Sequence, residues 1–182
     1  LIAINCKRPV DIRVLQIGSG GETGSLGASS DINIQPQGSL WFNHSDDITI
    51  ENVINGDGSI QKLGTGTLSL QTPSPGFTGQ ITVDSGILKL ADSVLGKDLM
   101  ENYKDPSPKL SIAADAKVIA LGSENYVQLL NGSGDLELGE SASFVIQSNA
   151  SSSVFDGKIS GEGDLILSGS DADLTLTSEN TL

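Results

Sequence analysis

Apolar and polar residues alternate in short runs along most of this chain, and a small residue stands where one run gives way to the next. A period of two places the apolar side chains on one face of a β-strand, and a Gly or Ala in the break fits a corner. The pattern predicts strand pairs that meet at a bend and share one inner face. The clearest copies are Ile32, Ile34, Gly38, Leu40 and Phe42; Leu110, Ile112, Ala116, Val118 and Ala120; Leu136, Leu138, Ala142, Phe144 and Ile146; and a shorter one, Ile81, Val83, Gly86, Leu88 and Leu90.

A Gly-x-Gly motif precedes an alternating run three times, at residues 55–60, 131–136 and 160–165. A glycine-dependent turn followed by a strand, repeated in this way, buries its apolar face only against neighbouring copies of itself. Gly132 and Gly161 lie 29 residues apart, which we interpret as one turn of a coil. Mirror-image strands around two-residue loops, the mark of hairpins, do not recur. We therefore predict an all-β fold, a right-handed parallel β-helix with turns of about 20 to 30 residues.

Residues 92–109 interrupt the pattern and predict a short helical or loop insertion. Leu95, Leu99, Met100 and Tyr103 recur at helical spacing, and two prolines follow them. The favoured interpretation is a lid that packs an apolar stripe onto the coil. The alternative is a loop that contacts a partner, in which case Leu99, Met100 and Tyr103 are the partner-binding residues.

Acidic residues outnumber basic ones by 23 to 10, which gives a net charge of −13. Such a surface repels phosphate backbones, so nucleic acid is excluded as a partner. The simplest explanation of the charge is solubility, because a repetitive sheet with exposed ends needs it. Cys6 is the sole cysteine, which excludes an internal disulfide and leaves the redox compartment open.

Candidate chemistry is sparse. His44, the only histidine, is followed by Ser45, Asp46 and Asp47, but members of a catalytic triad converge from separate elements. A turn between residues 42 and 48 is the better explanation.

Asp135 and Asp164 occupy the same place in two Gly-x-Gly copies. If their turns were adjacent, the two carboxylates could stack at the separation of about 5 Å that retaining glycosidases use. Ser59 stands at that place in the first copy, and an aspartate in a turn usually bonds its own backbone. We predict no catalytic residue, no metal site and no cofactor.

Aromatic residues make up 4% of the chain and are scattered along it. Trp41 alternates with Leu40 and Phe42, so we expect it to face outwards. It is a candidate for contact with a partner.

Residues 54–90 combine glycines at 56, 58, 64, 66, 79 and 86 with a lysine at 62 and leucines at 68, 70, 88 and 90. This pattern closely resembles the autotransporter-associated β-strand repeat. A second, looser copy runs from Phe155 to Leu176, with the lysine missing and Asp171 in place of a glycine. The positions of the first copy that match the repeat are Gly56, Gly58, Lys62, Gly64, Gly66, Thr67, Leu68, Leu70, Thr78, Gly79, Val83, Gly86, Leu88 and Leu90.

The resemblance implies that residues 1–182 are a segment of a passenger domain, similar to the pertactin and AIDA-type adhesins of Gram-negative bacteria. Such passengers are virulence-associated proteins of type V secretion, displayed on the cell surface or released, and carried out by a C-terminal membrane barrel. We expect the signal peptide and the barrel to lie outside this chain. The implied function is that of a stalk or adhesin, with an autochaperone role as a variant, and the implied partner is a host surface protein, matrix, or another copy. The alternatives are a polysaccharide-cleaving β-helix enzyme and a self-associating module.

Overall fold

The computed structural model describes residues 2–4, 13–28, 30–91, 96, 108–147, 152–169 and 172–182. In these ranges all regular structure is β-strand, and every strand pairing is parallel. None of the described residues belongs to a helix that is long and apolar enough to cross a membrane.

Twenty strands form one eight-stranded sheet, one six-stranded sheet and two short sheets. The eight-stranded sheet contains β2 (Arg13–Ile17), β4 (Gly38–Asn43), β7 (Ser59–Leu63), β9 (Gln80–Val83), β11 (Lys109–Ile112), β14 (Leu129–Gly132), β17 (Ser152–Phe155) and β20 (Asp173–Leu176). The six-stranded sheet contains β5 (Ile48–Ile50), β8 (Thr67–Leu70), β10 (Gly86–Leu90), β12 (Ala116–Ala120), β15 (Asp135–Leu138) and β18 (Ile159–Gly161). The N-terminal short sheet contains β1 (Ile2–Ile4), β3 (Ile32–Ile34) and β6 (Ile54–Gly56), and the C-terminal short sheet β13 (Asn125–Val127), β16 (Ser143–Gln147) and β19 (Asp164–Ser168).

Where a turn contains three strands, the chain passes from the eight-stranded sheet to the six-stranded sheet and then to a short sheet before it returns one layer further along. The turns that begin with β7 and β9 return to the eight-stranded sheet without a strand in a short sheet. Ser39 pairs with Ser59, so that turn takes 20 residues. The turn from Gln80 to Lys109 takes 29 residues and contains the interruption at residues 92–109. The result is a parallel β-solenoid of about seven turns, which confirms the predicted fold class.

The core consists of rows of apolar side chains, one from each turn. Leu68, Leu88, Val118 and Leu136 stand in register in the six-stranded sheet, and each is fully buried. The alternating runs therefore point inwards as the sequence predicts, because a period of two leaves every second side chain on the inner face.

The three Gly-x-Gly copies turn three different corners. Gly56 leads from the N-terminal short sheet into β7, Gly132 from the eight-stranded sheet into β15, and Gly161 from the six-stranded sheet into β19. The interpretation of the 29-residue spacing between Gly132 and Gly161 as one turn is therefore wrong: Gly132 pairs with Phe155. The motif therefore marks a corner between two sheets and is not tied to one particular corner of the coil.

Within residues 92–109 the structure describes only Gly96, Pro108 and Lys109. The predicted helix and its residues Leu95, Leu99, Met100 and Tyr103 lie outside the described residues, as does Cys6. Gly96 packs closely on the backbone of Tyr126, since a Cβ added to it would stand 2.5 Å from the Tyr126 carbonyl oxygen. Lys109 already belongs to β11, so the predicted insertion ends earlier than expected.

Candidate functional site

Buried polar side chains gather where the eight-stranded sheet passes into the six-stranded sheet. We call this region the Lys62 corner, formed by residues 43–47, 62–67 and 84–86 of three successive turns. Glycines 64, 66 and 86 let these turns approach one another closely: a Cβ on Gly64 would lie 2.2 Å from the carbonyl oxygen of His44.

His44 lies in the connection between β4 and β5, as predicted, but its ring is buried and only 2% exposed. Its Nδ1 is 2.9 Å from Oδ1 of Asp46, and its Nε2 has no hydrogen-bond partner in the described part of the chain. A catalytic triad requires a nucleophile at that second nitrogen. The ring instead packs beneath Gly18, where a Cβ would come within 2.5 Å of it. These contacts give His44 a place in the packing of the corner.

Lys62 is the one charged residue among the positions that match the repeat, and the sequence alone assigns it no role. It occupies an inward position between Phe42 and Val83 and is 1% exposed. Its stem continues the apolar row, while Nζ donates to the carbonyl oxygens of Leu63 at 2.9 Å, Gly64 at 2.9 Å and Ser85 at 3.1 Å. The ammonium group therefore ties two successive turns together.

Burial lowers the pKa of Lys62 to about 8, and the negative charge of Asp47 opposes this shift. Asp47 is itself exposed and accepts a hydrogen bond of 2.8 Å from the backbone N–H of Thr67. That hydrogen bond is the main cause of the lowered pKa of Asp47. A hydrogen bond from the Thr67 side chain and the positive charge of Lys62 lower it further. The corner is thus a structural polar network in a protein whose core is otherwise largely apolar.

We expect Lys62→Met to lower the free energy of unfolding by about 2 kcal/mol at pH 7, because three carbonyl oxygens lose the hydrogen bond from Nζ, although that of Gly64 still accepts from the Ser85 hydroxyl. The loss is expected to grow by about 3 kcal/mol between pH 8 and pH 10.5. In this window the unfolded chain still binds a proton that folded Lys62 has released, so the stability of the wild type rises with pH. Urea unfolding of both proteins across this range measures the difference.

Lys89→Met is the matched control, because Lys89 alternates with buried neighbours and points outwards from β10. Its effect on the free energy of unfolding is expected to be small. A difference between wild type and Lys62→Met that stays constant from pH 7 to pH 10 would contradict the role assigned to the buried amine.

The two aspartates considered for catalysis lie apart. Asp135 pairs with Lys117 in the six-stranded sheet, whereas Asp164 pairs with Ser143 in the C-terminal short sheet. The two carboxylates therefore do not stack in one column, for the same reason that the Gly-x-Gly copies do not stack. Lys117 also contacts Glu137, with Nζ 2.5 Å from Oε2.

Trp41 lies on the outer face of the eight-stranded sheet, since its neighbours Leu40 and Phe42 are fully buried. The indole is half-buried, and its Nε1 donates to Oγ of Ser39 at 2.7 Å. Ser59 in the next turn also donates to Ser39 Oγ, at 2.8 Å. Trp41 is thus turned along the strand towards the corner with the N-terminal short sheet.

Comparison with known proteins gives no further constraint on function. No family model, no curated protein and no solved structure matches this chain. The fold defines its class as a parallel β-solenoid, and any function has to be argued from its own residues.

Proposed function

We propose that this chain is a segment of the surface-exposed passenger of a Gram-negative autotransporter and acts as a stalk that carries adhesive contacts. The observation that carries the proposal is the run of repeat-like positions at residues 54–90 within a parallel solenoid. Its leucines lie in the core, and its glycines lie at corners where a side chain would strike the preceding turn.

The physical properties of the fold support a stalk. Each turn contacts mainly its two neighbours, so length is added by repetition and folding can propagate from one end. The net charge of −13 favours solubility of an extended surface with open strand edges. We propose a host surface protein or matrix, or a second copy, as the partner, and the protein's own membrane barrel during secretion. The proposal includes no catalytic residue and no cofactor.

Labelling of intact cells tests the proposal. Antibodies raised against the purified chain should label unpermeabilised cells of the producing organism, and external protease should remove the signal while a periplasmic marker survives. Labelling that appears only after permeabilisation would overturn the assignment to the cell surface.

An autochaperone role is the close variant of this proposal. Under it, deletion of residues 130–182 should reduce surface display of the remaining passenger, because propagation of folding would lose its starting turns. Undiminished display of the shortened passenger would remove the autochaperone role and leave the stalk role intact.

A further inference from the structure

An open cleft lined by polar residues and glycine crosses three successive turns where the N-terminal short sheet meets the eight-stranded sheet. Its volume is about 390 Å³, within the range of small-ligand sites. The cleft opens to solvent and is not filled by any described side chain. Its lining consists of Gln37, Gly38, Asp57, Gly58, Ser59 and Gln80.

Gln37, at the rim of this cleft, has an unusual backbone conformation. Its φ is +65°, and among the described residues it is the one non-glycine with positive φ, whereas ten glycines adopt such angles. Gly38 N–H donates to the carbonyl oxygen of Gln35 at 2.8 Å, which places Gln37 at the turn position that normally takes glycine. A side chain kept at a strained position is a feature of functional sites.

The four-residue turn does not by itself demand this conformation. The same sequence unit forms such turns at two other corners of the coil, where the Ala116 N–H donates to Ala113 and the Ala142 N–H to Gly139. Asp115 and Ser141 stand there at the position of Gln37, and neither has positive φ. This chain supplies glycine at its other described positive-φ positions, so glycine was the unstrained choice here too. What glutamine adds is an amide at the rim of the cleft.

The polar groups of the lining suit hydroxyl ligands. Gln37 and Gln80 offer amides, Ser59 a hydroxyl and Asp57 a carboxylate, so donors and acceptors alternate across the three turns. The side chains of Gln37 and Asp57 make no hydrogen bond to other described residues and are free to bind a ligand. Trp41 is not part of the lining, but its Nε1 donates to the Ser39 hydroxyl, which also accepts from Ser59 of the cleft, so its half-buried ring is an aromatic surface close to the cleft.

We propose that this cleft binds a neutral oligosaccharide that lies across the three turns. Each sugar hydroxyl both donates and accepts, which matches the mixed lining. No cation lines the cleft and the net charge is −13, which disfavours anionic ligands. A single carboxylate falls short of the six to eight oxygens, roughly, that Ca²⁺ takes. The inference does not depend on secretion by an autotransporter.

Titration of the purified chain with neutral tetrasaccharides of glucose, xylose and N-acetylglucosamine tests the inference. Trp41 is the only tryptophan, so its fluorescence reports on this region, and calorimetry gives the affinity independently. At least one tetrasaccharide is expected to bind, and Gln37→Gly and Gln80→Ala are each expected to weaken it about tenfold. Gln37→Gly should unfold at the same or a higher denaturant concentration, which separates lost binding from lost folding.

Gln71→Ala is the matched control, because Gln71 is exposed and lies outside the cleft, and it should leave affinity unchanged. Asp57→Asn keeps hydrogen bonding without charge, so saccharide binding should survive it. Three results would overturn the inference: no binding of any of these tetrasaccharides, binding that Gln37→Gly and Gln80→Ala leave intact, or binding of a basic peptide alone that Asp57→Asn abolishes.

Discussion

Replacing Leu88 with aspartate is expected to unfold the middle of the solenoid. Leu88 is fully buried between Leu68 and Val118, and no cationic side chain stands in that row to pair with a carboxylate. Burial of an unpaired charge in an apolar environment costs far more than the margin by which domains are stable. We expect a loss of about 4 kcal/mol or more in the free energy of unfolding, measured by urea titration followed by circular dichroism.

Lys89→Asp is the control for this variant. It introduces the same carboxylate one residue later, on the outer face of β10, where it remains in water. We expect a change within about 0.5 kcal/mol. Equal stability of Leu88→Asp and the wild type would mean that the row does not form in solution.

Leu88→Asp should also destabilise the two turns that pack against the turn of Leu88. In a solenoid each turn is stabilised by its interfaces with the next, so the loss of one internal turn separates the turns on either side. The same substitution at Leu136, in the same row, is therefore expected to act in the same way.

The fold could be predicted because its determinants are local. A period of two with small residues at corners specifies strands, bends and an inner face, and Ile32, Leu110 and Leu136 in equivalent copies are all buried. The position of each copy around the coil was not predicted correctly. The distance along the chain between paired residues varies from 18 to 30 residues, so successive copies of the pattern fall at different places around the coil, and only long-range pairing reveals this.

The same limit applies to the sites. The separation of Asp135 from Asp164 follows from pairing partners that no local pattern specifies. A period of two places Lys62 on the same face as Ile60, but nothing in its residue type predicts burial, which depends on carbonyls supplied by its own turn and the next. Gln37 gives no signal beyond the preceding proline, because nothing in its residue type predicts a positive φ.

Gly132→Ala is expected to be nearly as damaging as a buried charge, although it adds a single methyl group. Gly132 has a φ of +114°, a conformation that costs alanine about 1 to 3 kcal/mol by itself. An added Cβ would also lie 2.0 Å from the backbone carbonyl oxygen of Ile112 in the preceding turn. That oxygen accepts from the N–H groups of Ser133 and Gly134, at 2.9 and 3.1 Å, so its displacement breaks the bonds that fix the corner. We expect a total loss of about 3 kcal/mol or more, measured by urea unfolding.

Gly27→Ala supplies the comparison that isolates the corner. A Cβ on Gly27 meets no atom within 4 Å and its φ is not positive, so the substitution is expected to be neutral or slightly stabilising. A Cβ added to Gly56 would lie 2.1 Å from the carbonyl oxygen of Ile34, and one added to Gly161 would lie 2.0 Å from that of Leu138. Alanine at either position should therefore cause a similar loss of stability. If Gly132→Ala is as well tolerated as Gly27→Ala, the first glycine of the motif serves flexibility and not the close approach of one turn to the next. A loss of stability on substitution at all three glycines, which connect three different pairs of sheets, would instead establish the motif as a general corner element of this coil.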